Sequence, residues 1–128
     1  MADALNWPTE EIPDTDSLFM RAHRVHFRDG ELQTGVFRPQ GDGMSGNWNR
    51  YATAEETKQQ AKNNPDDNAV VSLPVGGIRQ IPDLRVEHTP EPSNRAHSEV
   101  FGFPEQHSKL TEIRVLLRRI AGVAIPLA

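Results

Sequence analysis

No cysteine occurs anywhere in the chain. That removes disulfides, zinc–thiolate sites, iron–sulfur clusters and cysteine nucleophiles together, and it fits a reducing compartment. Long apolar runs are missing too. No window approaches the roughly 18 consecutive apolar residues of a membrane span, and the first twenty residues lack the basic start and apolar stretch of a secretory signal. A cytoplasmic protein without membrane attachment is expected. Excess basic charge is also absent: a net charge of −4 and a pI near 5.7 argue against general DNA binding, which needs a cationic face to neutralise phosphates. Two catalytic signatures are lacking as well. The glycine-rich run Pro39 to Gly46 has no Gly-Lys-Ser/Thr after it, so it is not a phosphate-cradling loop. No Gly-x-Ser-x-Gly elbow supports a Ser-His-Asp hydrolase.

What is present describes one ordinary domain. A chain of 128 residues with 36% hydrophobic and 25% charged residues can build one core between two packed layers. Its acids are unevenly spread. Asp3, Glu10, Glu11, Asp14 and Asp16 precede any base, and Pro8 and Pro13 punctuate the same stretch. Residues 1–16 therefore read as a flexible acidic arm ahead of a single domain at 17–128. Leu5, Trp7 and Ile12 are the arm's docking candidates, and Trp7 is the residue best suited to contact a partner.

Along the domain, Ser17 to Phe27 and Glu31 to Arg38 flank Arg28-Asp29-Gly30, a strong hairpin signal. Thr53-Ala-Glu-Glu56 is a capping box that starts a short polar helix running to about Asn63, with Tyr51, Ala54 and Ala61 its candidates for packing. Ala69 to Leu73 reads as a buried strand, Ile78 to Ile81 follows it, Leu84 to His88 alternates as a half-buried strand, and Ala96 to Phe101 forms another. Ser108 can cap a helix whose Leu110, Ile113, Leu117 and Ile120 form one apolar stripe, with Gly122 placed to stop it. Arg114, Arg118 and Arg119 cluster toward that helix's C-terminal end, where cations suit the dipole and could also bind a phosphate or an acidic partner. The apolar run Val123 to Ala128 should pack back on the domain or into a partner. The expected fold is α+β: a mainly antiparallel sheet of five or six strands, the C-terminal amphipathic helix on one face and the polar helix to the side.

The densest chemistry lies in Val86 to Gly102, V-E-H-T-P-E-P-S-N-R-A-H-S-E-V-F-G. Its Asn94-x-Ala96-His97-x-Glu99-Val100-x-Gly102 resembles a segment of a group of small uncharacterised bacterial proteins. That resemblance implies a defined domain and carries no activity. His88 and His97 flank the turn, with Arg95 between them. Side by side, two imidazoles and a cation suit metal-independent RNA cleavage, in which one histidine takes the 2′-hydroxyl proton, the other protonates the leaving oxygen, and the arginine stabilises the phosphorane. A structural role for the pair is the competing reading.

A second scheme follows from the order of parts. Arg21 on the first strand, Ser45 after the glycine loop and Glu99 on a late strand resemble, in order, the arginine, serine and glutamate of NAD-using ADP-ribosyl transferases. That family commonly carries Gln or Glu two residues before its glutamate, where this chain has His97. A metal site is not expected, because His23 and His26 point to opposite faces of a strand and no ligand spacing joins them to His88, His97 or Glu99. No bound cofactor is expected either. With no complete catalytic motif, an acidic arm, a basic terminal helix and an apolar C-terminus, the sequence reads first as a partner-binding or accessory module of a bacterial multi-gene system. Another protein is the expected partner and RNA a further one; the RNA-cleaving and ADP-ribosyl-transferring schemes are the alternatives.

Overall fold

A computed structural model describes residues 6–128; Asp3 and Leu5 of the acidic stretch lie outside the described residues. The fold is α+β, built on a six-stranded sheet in which every neighbouring pair is antiparallel. In chain order the strands are β1 (Ser17–His23), a small hairpin of β2 (Phe27–Arg28) and β3 (Glu31–Leu32), then β4 (Gly43–Trp48), β5 (Asn68–Pro74), β6 (Arg85–His88), β7 (His97–Phe101) and β8 (Gly122–Ile125). The large sheet has the order β6-β7-β4-β1-β5-β8, with the hairpin outside it. Helices are α1 (Ala54–Gln59), α2 (Val75–Arg79) and α3 (His107–Ile120). Among the described residues no helix is long and apolar enough to cross a membrane.

Period-two alternation divides the sheet into two chemically different faces. On one side Leu18, Met20 and Ala22 of β1, Met44 and Trp48 of β4, Val71 and Leu73 of β5, Val86 of β6 and Val100 of β7 are buried together with Ile113 and Leu117 of α3 and Ile78 of α2. This is the core, and α3 reaches it through the expected stripe. On the other side lie Phe19, Arg21, Ser45, Asn47, His97 and Glu99, partly roofed by α1. The capping box is present in full: Thr53 Oγ1 accepts from the Glu56 amide and Glu56 Oε1 accepts from the Thr53 amide. It holds the start of a helix that would be too short to persist alone.

Several expectations are corrected. The first long strand ends at His23, where a 3-10 turn over Arg24–His26 takes over, and the second shrinks to two residues before another such turn at Thr34–Val36. The hairpin turn itself is as expected, with Asp29 at φ 53° and Gly30 at φ 81°. Half of the glycine-rich run is a central strand: β4 starts at Gly43. Glycine is required there by close approach, because a Cβ would lie 2.8 Å from Glu99 Oε2 and 2.9 Å from the Phe101 ring. Residues 75–79 form the helical turn α2 rather than a strand. Ser108 does not cap α3, whose N-cap is Gln106 without a side-chain bond. Gly122 does not stop it; the helix ends at Ala121 and Gly122 opens β8, through which the apolar C-terminus joins the sheet edge. Thr57 and Lys58, not Ala54 or Ala61, are the side chains α1 buries, while Tyr51, just ahead of the helix, packs against the core as expected.

The largest correction concerns the acidic stretch. Residues 10–16 pack along the domain instead of standing free. Ile12 is 3% exposed within the core, Arg79 donates to the Ile12 carbonyl, the Gly76 amide donates to the Asp14 carbonyl, and Trp48 Nε1 donates to Asp16 Oδ2 at 2.8 Å. A boundary at residue 16 does not follow the packing. The acids satisfy donors of the domain, which is why a composition that signals disorder is ordered here. Ile12→Ala should lower the unfolding free energy by about 2–5 kcal/mol in a denaturant titration, whereas Arg118→Ala, exposed on α3, should change it by less than about 0.5 kcal/mol. Equal and small effects would show that the stretch contributes nothing to the core.

Candidate functional site

Register assembles the site. Ser45 pairs with Glu99 and Asn47 with His97 across β4 and β7, while Phe19 pairs with Asn47 across β1 and β4. The β1–β4 pairing ends at Phe19, and Arg21, two residues further on, lines both clefts of this face together with Ser45. Ser45 and Glu99 are cross-strand neighbours on the face away from the core, with His97 next to Ser45. Two adjoining clefts open there. One, of about 470 Å³, is lined by Phe19, Arg21, Ser45, Asn47, Glu91 and His97 among others. The second, of about 430 Å³, shares Arg21 and Ser45 and adds His26 and Arg38.

Arg21, His97 and Asn47 are each oriented by a nameable contact. Arg21 Nη1 donates to the Thr57 carbonyl at 2.9 Å, and partial burial lowers its pKa from the ordinary value, although an arginine stays cationic. His97 Nδ1 lies 2.8 Å from the Thr89 carbonyl and 3.1 Å from Thr89 Oγ1, and its Nε2 lies 3.2 Å from Ser45 Oγ. Beneath them Asn47, 4% exposed, is a polar node: its Nδ2 donates to Thr57 Oγ1 and Gln60 Oε1, and its Oδ1 accepts from Asn94 Nδ2 at 2.8 Å. Sequence reasoning missed Asn47, since an asparagine inside a glycine-rich run reads as turn chemistry. His26 at the rim is held below the usual histidine range by desolvation first, then by the nearby charges of His23 and Arg38.

His88 and His97 are not brought together. His88 pairs with Ser98, so its ring enters the core face while His97 faces the cleft. Both His88 nitrogens are occupied: Nδ1 accepts from the Glu10 amide at 3.1 Å and Nε2 lies 2.7 Å from the Arg95 carbonyl. The ring packs edge-on to Trp48. Arg95 also leaves the cleft, stacking between Tyr51 at 4.0 Å and Trp7 at 4.7 Å. The two-histidine scheme for RNA cleavage is overturned by this geometry, and Trp7 is engaged within the chain. Arg114, Arg118 and Arg119 do not act as one patch, because Arg114 donates to the Phe37 carbonyl at 2.9 Å while Arg118 and Arg119 stay exposed. Among the described residues no cluster of three or more His, Asp or Glu could hold a metal ion.

No protein-family model, curated protein or solved structure matches the chain. The site is therefore read from its own geometry.

Glu10 ties the docked stretch to the core end of the sheet. The Tyr51 hydroxyl donates to its carboxylate, and that bond first, with the charges of Arg50 and Arg95, holds its pKa below the ordinary value against an opposing desolvation. A carboxyl with a depressed folded pKa stabilises above its unfolded pKa, about 4.3 for glutamate, and that stabilisation is lost as pH falls through the lower, folded value. Thermal midpoints of the parent should thus drop on acidification from pH 5 toward 3 more steeply than those of Glu10→Gln. Parallel pH profiles would show that the contact carries no linkage.

Proposed function

We propose that the face bearing Arg21, Ser45 and Glu99 binds NAD and transfers its ADP-ribosyl group. The observation that carries this reading is the face these residues share: Ser45 pairs with Glu99 across β4 and β7, and Arg21 and Ser45 together line two joined polar clefts beside that pair. The chemistry asks for that arrangement. A guanidinium with free N–H donors pairs with the diphosphate, and the neighbouring cation Arg38 extends the same field. Cleaving the bond between C1′ of the ribose and the nicotinamide nitrogen builds positive charge on the sugar ring. A carboxylate beside the anomeric carbon stabilises that oxocarbenium-like state and can accept from the ribose hydroxyls. Ser45, between arginine and carboxylate, supplies a hydroxyl for the ribose. The nicotinamide leaves as a neutral ring and needs no proton.

Titrating the protein with NAD while following amide resonances should shift the signals around Arg21, Ser45 and Glu99, and Arg21→Ala should weaken binding at least about tenfold, as expected for loss of a charge-assisted contact. Nicotinamide release, read by chromatography, should disappear in Glu99→Gln with binding retained. No resonance shift and no nicotinamide at millimolar NAD would reject the reading.

A second reading, a protein-binding accessory module, is favoured by the sheet edge. β8 is a terminal strand with one unpaired side, carries no charge, exposes Val123 at 52%, and directly follows the exposed Arg118 and Arg119. An apolar edge of this kind invites strand addition. Val123→Lys should then abolish a stoichiometric partner complex while leaving nicotinamide release unchanged; a complex insensitive to this change would locate the partner elsewhere.

A further inference from the structure

His97 occupies the position two residues before Glu99 and turns a defined edge toward the cleft. A carbonyl oxygen only accepts, so Nδ1, 2.8 Å from the Thr89 carbonyl, carries the proton of the neutral ring. Nε2 then presents a lone pair into the cleft, where Ser45 Oγ lies 3.2 Å away. Asn47 pairs with His97 in register and is pinned by Thr57, Gln60 and Asn94, which fixes the strand that carries the ring. A nucleophile-side hydroxyl, a base within reach and a third group orienting the base make up the geometry of general-base activation.

We infer that His97 is the general base for the acceptor, and that the acceptor is an oxygen nucleophile, water or an alcohol, seated where Nε2 and Ser45 Oγ meet. The inference rests on the NAD reading of the same face. In the step, the acceptor O–H gives its proton to His97 Nε2 as its oxygen bonds to C1′ of the ribose. The C1′–N bond breaks with its electron pair passing to the nicotinamide ring, which cancels the ring's positive charge. The products are nicotinamide and an O-linked ADP-ribose, or free ADP-ribose when the acceptor is water, and the imidazolium returns its proton to solvent. The charge of the cleft is mixed, with Arg21 and Lys62 beside Glu91, whose Oε2 lies 4.0 Å from His97 Nε2, so the preference for an oxygen acceptor rests on the hydroxyl geometry at Nε2 and Ser45 Oγ.

The test uses the full chain with NAD in buffer, in buffer containing methanol, and in buffer containing agmatine, with products separated and weighed by mass spectrometry. The parent should yield ADP-ribose in buffer, methyl-ADP-ribose with methanol, and no agmatine adduct. His97→Asn keeps a donor for the Thr89 carbonyl but lacks the Nε2 lone pair. It should bind NAD as the parent does and lose nicotinamide release by about 100-fold or more, and His97→Gln, which replaces the ring differently, should lose it equally. Unchanged release in both variants, or an agmatine adduct formed by the parent, would overturn the role of His97 while leaving NAD turnover standing. Absence of NAD binding by the parent would instead remove the reading beneath it.

Discussion

The pairing of β4 with β7 is the constraint from which the cleft follows. Because side chains alternate every residue, setting Ser45 against Glu99 and Asn47 against His97 fixes at once what faces the core and what faces solvent. A slip of one residue would exchange the two sides, turning Val100 and Ser98 outward and His97 and Glu99 into the core. Register of that kind is strongly specified where one face is buried, and here Met44, Trp48, Val86 and Val100 bury it. The hydrophobic core thus acts as the positioning device for a set of polar residues it never touches.

The opposite side of the sheet has its own closing element. Residues 10–16 run past the ends of β6, β4 and α2, and a carboxylate and an amide of the stretch meet groups that would otherwise be buried without partners, the Trp48 indole N–H and His88 Nδ1, while Asp14 and the Ile12 carbonyl hold the partly exposed Arg79. Unpaired buried donors cost about 1–3 kcal/mol each, so the stretch is as much a part of the folded unit as a strand. Arg95 completes it by lying between two aromatic rings, a contact favourable by about 0.5–2 kcal/mol according to its desolvation.

Legibility in the sequence tracked how local the signal was. The capping box at Thr53, the Asp29-Gly30 turn and the Ile113/Leu117 stripe are each set within one or two helical turns or one hairpin, and all three are found in the structure. β4 was hidden because its glycines answer to distant packing, Gly43 against Glu99 and Phe101 more than fifty residues away and Gly46 against Leu18 and Phe19. The separation of His88 from His97 was hidden for a related reason: both strands were anticipated, but only their mutual register reveals that the rings lie on opposite faces. Arg21, Ser45 and Glu99 were visible as an order of residues, and only the neighbourhood of β1, β4 and β7 brings them to one face of the sheet. Asn47, the node on that face, had no signal at all, since its partners come from α1 and from the β6–β7 loop.

Asn47 also divides the molecule by stability. The helix α1 spans six residues, has its own cap, and rests on β5 and β1 with Thr57 and Lys58 buried and Asn47 bonded to Thr57 and to Gln60 at its end. A segment so small opens more cheaply than a six-stranded sheet, so its amides belong to a lower rung of the exchange ladder than those of β1 or β5. Opening it removes the carbonyl that holds Arg21 and the roof of the larger cleft in one event, with the apolar core intact. The wall of the larger cleft is thus a short, separately capped element laid on the sheet, outside its strands.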